Sequence, residues 1–220
     1  MKLLILAAGA SKDFQGMNRL LIVIDQKTGK TILDQYIEVF NPTEVTIIIG
    51  ANSADLIMKY PDFNYVYNQS WDRFRSASSL ALAPYFEGPV AVIPCDLIFQ
   101  SGLVPIIRSK LGASKNFVFV WDNENILPRS ICMKCNNEGK IVEIMRERND
   151  YTNTFVCTGL FILNDPDTLS KWRYKASRDV DAFFAQSYPL ETAELFTSII
   201  SQREIVELNT INDYLKFLTE

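Results

Sequence analysis

The residues best placed for chemistry lie in the first loop of the chain. An apolar run over residues 3–8 is typical of a strand buried on both faces of a parallel sheet. Residues 9–11 are all small, which lets the backbone approach a ligand closely. Successive N–H groups in such a turn can form a concave anion site, which the cations Lys12 and Arg19 would reinforce. The loop therefore predicts a phosphate site.

A carboxylate follows a second buried strand. Residues 90–93 are wholly apolar, and Asp96 comes three residues later. Open α/β sheets bind ligands at the carboxyl ends of their strands, so Asp96 is expected near the first loop. The sequence contains no histidine, which excludes imidazole acid/base chemistry, histidine-activated nucleophiles and the usual zinc sites. A metal here is expected to be a hard cation held by carboxylates, with Mg²⁺ the first choice.

The composition argues against a nucleic-acid-binding or membrane-spanning protein. The 220 residues are 48% hydrophobic and 22% charged, as in an ordinary globular protein. We expect a single domain over residues 1–220, with two halves of about 1–110 and 111–220. The net charge of −4 gives no basic field for nucleic acid, and no apolar stretch approaches the roughly 20 residues that span a bilayer.

The spacing of the four cysteines bears on the cellular compartment of the protein. Cys132 and Cys135 are the only close pair among four, and residues three apart on a strand face opposite sides, so a disulfide or metal chelate would need a turn. Free thiols in a reducing cytoplasm are expected. The predicted location is therefore cytoplasmic.

The periodicity changes midway along the chain. Strands alternate with helices in the first half, which predicts right-handed βαβ units. Four strand-like runs follow, with a hairpin turn at residues 136–139. Later patterns predict helices over 167–175, 180–185, 192–201 and 211–218, with a strand over 204–208. The predicted fold class is α/β, a three-layer Rossmann-like sheet, mixed but mostly parallel, with helices on both faces.

These motifs, in this order, resemble those of the GT-A-like nucleotidyltransferases, which act on sugar phosphates and choline phosphate. The family opens with Leu-Ala-Ala-Gly-x-Gly-x-Arg and a later Pro-Lys pair, where this chain has residues 6–13 and Asn18-Arg19. Asp96 matches a metal-binding aspartate, and Thr158-Gly159 lies in a matching strand. Residues 206–214 resemble a closing Glu-Ile-Asp-Thr-x-x-Asp-Tyr motif.

The resemblance implies transfer of a nucleoside monophosphate from a nucleoside triphosphate, with CTP favoured, to a phosphorylated sugar or alcohol. Pyrophosphate would be released, in the synthesis of surface-glycan precursors such as those of capsule or lipopolysaccharide. It implies nucleotide binding by Ala7, Ala8, Gly9, Ala10, Ser11, Asn68, Arg75 and Ser79. It implies catalytic roles for Lys12, Arg19 and Arg148, Mg²⁺ binding by Asp96 and Glu207, and an acceptor contact at Gly159.

Aromatic and acidic residues provide a candidate acceptor pocket. Trp121 and Asp122 are adjacent, and such a pair would suit a quaternary ammonium such as choline. Other residues that either belong to this pocket or pack elsewhere are Trp71, Glu124, Tyr151 and Trp172.

Four departures from the family pattern leave alternatives open. Ser11 replaces a glycine, Asp13 the phosphate-binding arginine, Arg19 a lysine and Asn209 an aspartate. An uncompensated carboxylate about 4 Å from a phosphate would cost on the order of 4 kcal/mol at an effective dielectric near 20. One alternative is therefore a catalytically impaired homologue that binds nucleotide or a partner. Another is a GT-A glycosyltransferase, which would carry Asp-x-Asp where this chain has Asp96-Leu-Ile.

Overall fold

The computed structural model describes residues 1–121, 130–146 and 152–219. Its strands are β1 (Lys2–Ala7), β2 (Val23–Asp25), β3 (Lys30–Thr31), β4 (Glu44–Ile49), β5 (Asn64–Tyr67), β6 (Val90–Pro94), β7 (Leu97–Phe99), β8 (Phe117–Trp121), β9 (Cys132–Cys135), β10 (Ile141–Met145), β11 (Thr154–Leu163), β12 (Phe196–Ile200) and β13 (Ile205–Glu207). Its helices are α1 (Ile32–Phe40), α2 (Ala54–Lys59), α3 (Ser76–Ala81), α4 (Leu103–Lys110), α5 (Pro166–Arg178) and α6 (Ile211–Thr219).

Within those ranges, nine strands form one mixed sheet that runs through both halves of the chain. Strands β5, β4, β1 and β6 are parallel neighbours in that order, and β12 is parallel to β8. Strand β11 is antiparallel to β6, β8 and β9, and β9 forms the expected hairpin with β10. The predicted α/β fold class is confirmed.

Helix α1 shows why the local predictions succeed. The Thr31 hydroxyl accepts a hydrogen bond from the backbone N–H of Asp34, and the Asp34 carboxylate accepts one from the N–H of Thr31. This reciprocal cap satisfies donors that the first turn would leave unpaired. Asn41, with a φ of 41°, ends the helix in the left-handed conformation. Both ends are therefore fixed by residues within the local sequence.

Two hydrophobic cores lie on the two faces of the sheet. One packs against α1, α2, α4 and α6, and the other against α3 and α5. Trp172 is fully buried in the second core, where its Nε1 donates to the carbonyl oxygen of Phe184 at 2.9 Å. Of the two fates left open for Trp172, core packing is the one observed.

Two helix predictions in the last third of the chain are wrong. Residues 196–200 form strand β12, in which buried and more exposed side chains alternate while the backbone pairs with β8. That distant pairing, with three β-branched residues in the segment, outweighs local helical spacing. Residues 180–185 do not form an α-helix: residues 180–183 are irregular and lead into a 3₁₀ turn at Phe184–Ser187. Strand β7, which carries the chain away from Asp96, was not predicted.

Two further expectations concern cysteines and membranes. The four cysteines all lie in the described ranges, and each is a free thiol. No helix in the described part of the chain is long and apolar enough to cross a bilayer.

Candidate functional site

The first loop turns sharply at Ser11, not at a glycine. Ser11 has φ 46° and ψ 47°, the left-handed region, which disfavours residues with a Cβ by roughly 1–2 kcal/mol. The Ser11 carbonyl oxygen accepts hydrogen bonds from the N–H groups of Phe14 and Gly16 at 2.9 and 3.1 Å. This geometry explains why the related motif has a glycine here. The loop then continues as a 3₁₀ turn, Lys12–Phe14, with Lys12 and Asp13 exposed and Phe14 buried.

Arg19 connects this loop to the turn between β6 and β7, which carries Asp96. Its Nη1 donates to Oδ2 of Asp96 at 2.5 Å and to the carbonyl oxygen of Leu208 at 3.2 Å. Its Nε lies 3.4 Å from Oγ of Ser11. Both charged side chains are mostly buried, with 19% and 16% exposed. Burial raises the pKa of the Asp96 carboxyl, and the positive charge of Arg19 opposes that shift.

The turn that carries Asp96 is held by α1. The hydroxyl of Tyr36 lies 3.0 and 2.9 Å from the carbonyl oxygens of Pro94 and Leu97, and it accepts from the N–H of Leu97 at 3.0 Å. Gln35 contacts both the N–H and the carbonyl oxygen of Phe99 at 2.8 Å, as a neighbouring strand would. The position of Asp96 therefore depends on two polar side chains that reach across from a helix.

Glu207 reaches Asp96 through a pairing of distant strands. In the β7–β13 ladder, Leu97 lies opposite Glu207, and the N–H of Leu208 donates to the carbonyl oxygen of Asp96 at 2.8 Å. Burial and then the charge of Asp96 raise the pKa of Glu207 to about 7, while a hydrogen bond from Asn209 opposes the shift. Glu207 remains open to solvent on one side. Because the charge of Asp96 raises the pKa of Glu207, a cation between the two carboxylates would be stabilised.

Two residues predicted to lie near the nucleotide base, Asn68 and Ser79, form a hydrogen bond with each other. Asn68 is buried, and its Nδ2 donates to the hydroxyls of Ser78 and Ser79 at 3.1 and 3.0 Å. The polar atoms of this group therefore shape the loop before α3. A Cβ added to Gly50 would lie 2.3 Å from the carbonyl oxygen of Ala8 and 2.8 Å from Trp71, so this side of the site is closely packed.

On the side predicted to bind the acceptor, Gly159 marks a change of strand partners. It has a φ of 86°, and an added Cβ would lie 3.1 Å from Pro94 and 3.5 Å from Phe184. Trp121 ends β8, and within the described residues its buried Nε1 has no hydrogen-bond partner. Arg148 and Asp122, predicted for this side, lie outside the described residues, as do Glu124 and Tyr151.

The structure thus brings Ser11, Arg19, Asp96 and Glu207 together from four separate segments. Ala7 and Ala8 are buried beneath the loop, while Gly9 and Lys12 are exposed at its surface and Ala10 is half-buried. Arg75 lies apart, stacked on Phe183 with its guanidinium carbon 4.7 Å from the ring centroid.

Sequence reasoning missed the two residues that support Asp96. Tyr36 lies on the apolar face of α1 and Gln35 belongs to no motif, so neither residue is singled out by the sequence. A buried tyrosine usually needs a partner for its hydroxyl, which was the one available signal.

The fold is that of the nucleotidyltransferase class. The family model of the MobA-like NTP transferase domain matches residues 3–158. Because the match covers more than half of the chain, this protein belongs to the MobA-like NTP transferase family and is a nucleotidyltransferase. Comparison with curated protein sequences gives no match.

Solved structures share the fold at low sequence identity. One is the CTP:phosphocholine cytidylyltransferase from Streptococcus pneumoniae, with a TM-score of 0.73 and 17% identity over 98% of this chain and 96% of that one. A second is a putative glucose-1-phosphate thymidylyltransferase from Bacillus anthracis, with a TM-score of 0.74 and 18% identity over 100% and 94%. A third is the inositol-1-phosphate CTP transferase from T. maritima, with a TM-score of 0.72 and 15% identity over 99% and 94%.

Proposed function

We propose that this protein transfers a nucleoside monophosphate from a nucleoside triphosphate to a phosphorylated sugar or alcohol. An oxygen of the acceptor phosphate attacks the α-phosphorus, the bond to the bridging oxygen breaks, and pyrophosphate leaves. The observation that carries the proposal is the contact of Arg19 with Ser11 and Asp96, which joins the phosphate loop to the candidate metal carboxylate.

The loop supplies positive charge and backbone donors for the triphosphate. Lys12 is exposed at the outer edge of the loop, whereas Arg19 is fixed below it by three contacts. A fixed guanidinium can stabilise charge that develops on phosphate oxygens without reorganising during the reaction. Phosphoryl-transfer chemistry depends mainly on such positioning and charge neutralisation, so the lack of histidine is no obstacle.

Asp96 and Glu207 fit a divalent metal, with Mg²⁺ the proposed ion. Mg²⁺ is commonly held by one or two carboxylates together with substrate phosphates and water, and here two carboxylates lie within electrostatic reach of each other. The ion would supply charge neutralisation at the triphosphate. Asn209, in place of a further carboxylate, is positioned to donate a hydrogen bond to Glu207 and so to orient it.

The acceptor is proposed to bind over the C-terminal half, near Gly159 and Trp121. The backbone of Gly159 packs closely against Pro94, at the end of β6 and two residues from Asp96, because an added Cβ would lie 3.1 Å from Pro94. The buried Nε1 of Trp121, at the end of β8, is a further donor without a partner among the described residues. The structural neighbours named above act on phosphocholine and inositol 1-phosphate, which supports a small phosphorylated acceptor. A role in surface-glycan precursor synthesis is proposed from the motif resemblance alone.

A second candidate function is nucleotide binding without turnover. Asp13 favours it, because this carboxylate lies in the phosphate loop and within electrostatic reach of Arg19. It would repel a triphosphate unless a cation intervened.

The test is pyrophosphate release with each of CTP, UTP, ATP, GTP and dTTP, across sugar 1-phosphates and phospho-alcohols, with and without Mg²⁺. We expect turnover with at least one pair, its loss on chelation of Mg²⁺, and a fall of roughly 100-fold or more in the Asp96→Asn variant. Binding of a nucleotide by calorimetry, with no pyrophosphate from any pair, would establish the second candidate and exclude the first.

A further inference from the structure

Two arginines share one aromatic ring outside the group formed by Arg19, Asp96 and Glu207. The guanidinium carbon of Arg75 lies 4.7 Å from the centroid of the Phe183 ring, and that of Arg146 lies 5.4 Å from the same centroid. The two cations are therefore about 10 Å apart or closer, the limit set by the two distances. Contact with the ring restricts both side chains.

Among the described residues, neither arginine forms an ion pair with a carboxylate, although Asp179 and Asp181 lie in the segment next to Phe183. Within the same ranges, neither guanidinium makes a side-chain hydrogen bond, and both residues are exposed. Elsewhere in the described chain, Lys140 and Lys175 pair with glutamates. Like charges held near each other without a counter-ion repel, so an anion bound between them would be stabilised.

Strand register places Arg146 beyond the end of the parallel strands. On β11, Phe161 pairs with Val92 of β6, so Gly159 lies level with Pro94, the last residue of β6. Farther out on β11, Val156 pairs with Cys132, which in turn pairs with Met145. Arg146 follows Met145 and therefore lies past the carboxyl end of β6, where ligands of such sheets bind.

Arg75 reaches the same region through its contact with residues 180–184, which follow α5 in the chain. Its N–H donates to the carbonyl oxygen of Val180, and the N–H of Phe184 donates to Oγ of Ser76, so residues 180–184 lie along the start of α3. The ring of Phe184 borders Gly159, and Phe183 precedes it. The two arginines thus flank the proposed acceptor space on the α3 and α5 side of the sheet. Arg19 and Asp96 lie with the opposite core.

We propose that Arg75 and Arg146, held on the ring of Phe183, bind a second anionic group of the acceptor, remote from its reacting phosphate. This inference rests on the proposed function. The reacting phosphate must meet the α-phosphorus near Arg19 and Asp96, which leaves this pair for a carboxylate or second phosphate at the far end of the acceptor. The site then selects anionic acceptors over cationic ones such as phosphocholine.

The test compares glucuronic acid 1-phosphate with glucose 1-phosphate, which differ by one carboxylate, and includes phosphocholine as the cationic case. We expect kcat/KM of the wild type to favour the acid by about tenfold or more, as expected for charge-assisted hydrogen bonds. In the double variant Arg75→Gln/Arg146→Gln this preference should fall to within about twofold, because kcat/KM for the acid falls more than kcat/KM for glucose 1-phosphate. Phe183→Leu should reduce the preference in part, because it frees both side chains.

The matched control is Arg108→Gln/Arg203→Gln, which removes two exposed arginines elsewhere and should keep the full preference. Equal use of both sugars by the wild type, a preference for phosphocholine, or a raised KM for nucleotide alone in the double variant would each overturn the inference. If no acceptor turns over, calorimetric binding separates the two proposals. Binding of glucuronic acid 1-phosphate that the double variant weakens about tenfold supports the anion site alone, and absence of that binding overturns it.

Discussion

Nη1 of Arg19 lies 2.5 Å from Oδ2 of Asp96 although the two residues are 77 positions apart in sequence. The contact fixes the cation that stands in the place of a lysine in the related motif, and it also occupies one oxygen of the candidate metal ligand. A point ammonium could not contact Asp96, the carbonyl oxygen of Leu208 and Oγ of Ser11 through a single rigid group. The arginine is therefore a specific part of this site.

The first prediction concerns this contact. Arg19→Lys keeps the charge but loses the planar fork, and we expect kcat/KM to fall about tenfold. Arg19→Gln should lower kcat/KM roughly 100-fold and destabilise the fold by about 1–3 kcal/mol, because a largely buried Asp96 is left without its partner. Steady-state kinetics and urea unfolding measure the two effects. Arg203→Gln, at an exposed site, is the control, and near-normal activity of Arg19→Gln would refute the proposed role.

The second prediction concerns the support of Asp96 by Tyr36. Tyr36→Phe removes a hydroxyl that contacts three backbone groups, and it leaves the buried N–H of Leu97 without a partner. We expect a loss of about 1–3 kcal/mol in the free energy of unfolding and a fall in kcat that exceeds the change in KM for nucleotide. Tyr85→Phe, on an exposed ring, should change neither. A Tyr36→Phe variant as stable and active as the wild type would show that the turn carrying Asp96 does not depend on the Tyr36 hydroxyl.

The third prediction concerns the charge of the phosphate loop. Asp13→Arg replaces a repulsive carboxylate with the cation found in the related motif, and we expect kcat/KM for nucleotide to rise about tenfold. Asp13→Asn should give a smaller rise of about threefold, and both gains should shrink as salt increases. Asp62→Arg, an equal charge change on an exposed turn, provides the comparison. No gain from Asp13→Arg would mean that the triphosphate does not pass this side of the loop.

The fourth prediction concerns pH and the cap of α1. Burial favours a higher pKa for Asp34, but hydrogen bonds from Thr31 and Tyr60 outweigh it and lower the pKa below its usual value. A carboxyl with a lowered pKa stabilises the fold above its unfolded pKa of about 4 and loses that contribution as pH falls through its folded value. Asp34→Asn should therefore cost about 1 kcal/mol at pH 7 and progressively less below pH 4. Unfolding of both proteins at pH 7 and pH 3 measures the difference, and an unchanged gap would contradict the assignment.

Short-range patterns were enough for the elements whose ends are fixed locally. Thr31 and Asn41 bound α1, and the Asn136–Gly139 turn joins β9 to β10 through a hydrogen bond from the N–H of Gly139 to the carbonyl oxygen of Asn136. In each case the stabilising partner lies within a few residues, so the local sequence contains the information.

What the sequence by itself determined was the class of fold and the order of its motifs, including the positions of the first loop, Asp96 and Glu207. What only the tertiary structure decided was how they meet. The β7–β13 ladder brings Glu207 beside Asp96, pairing with β8 turns residues 196–200 into a strand, and Phe183 brings Arg75 and Arg146 together. These contacts join residues far apart in sequence, and their free energy comes from pairing and burial that no local window of sequence contains.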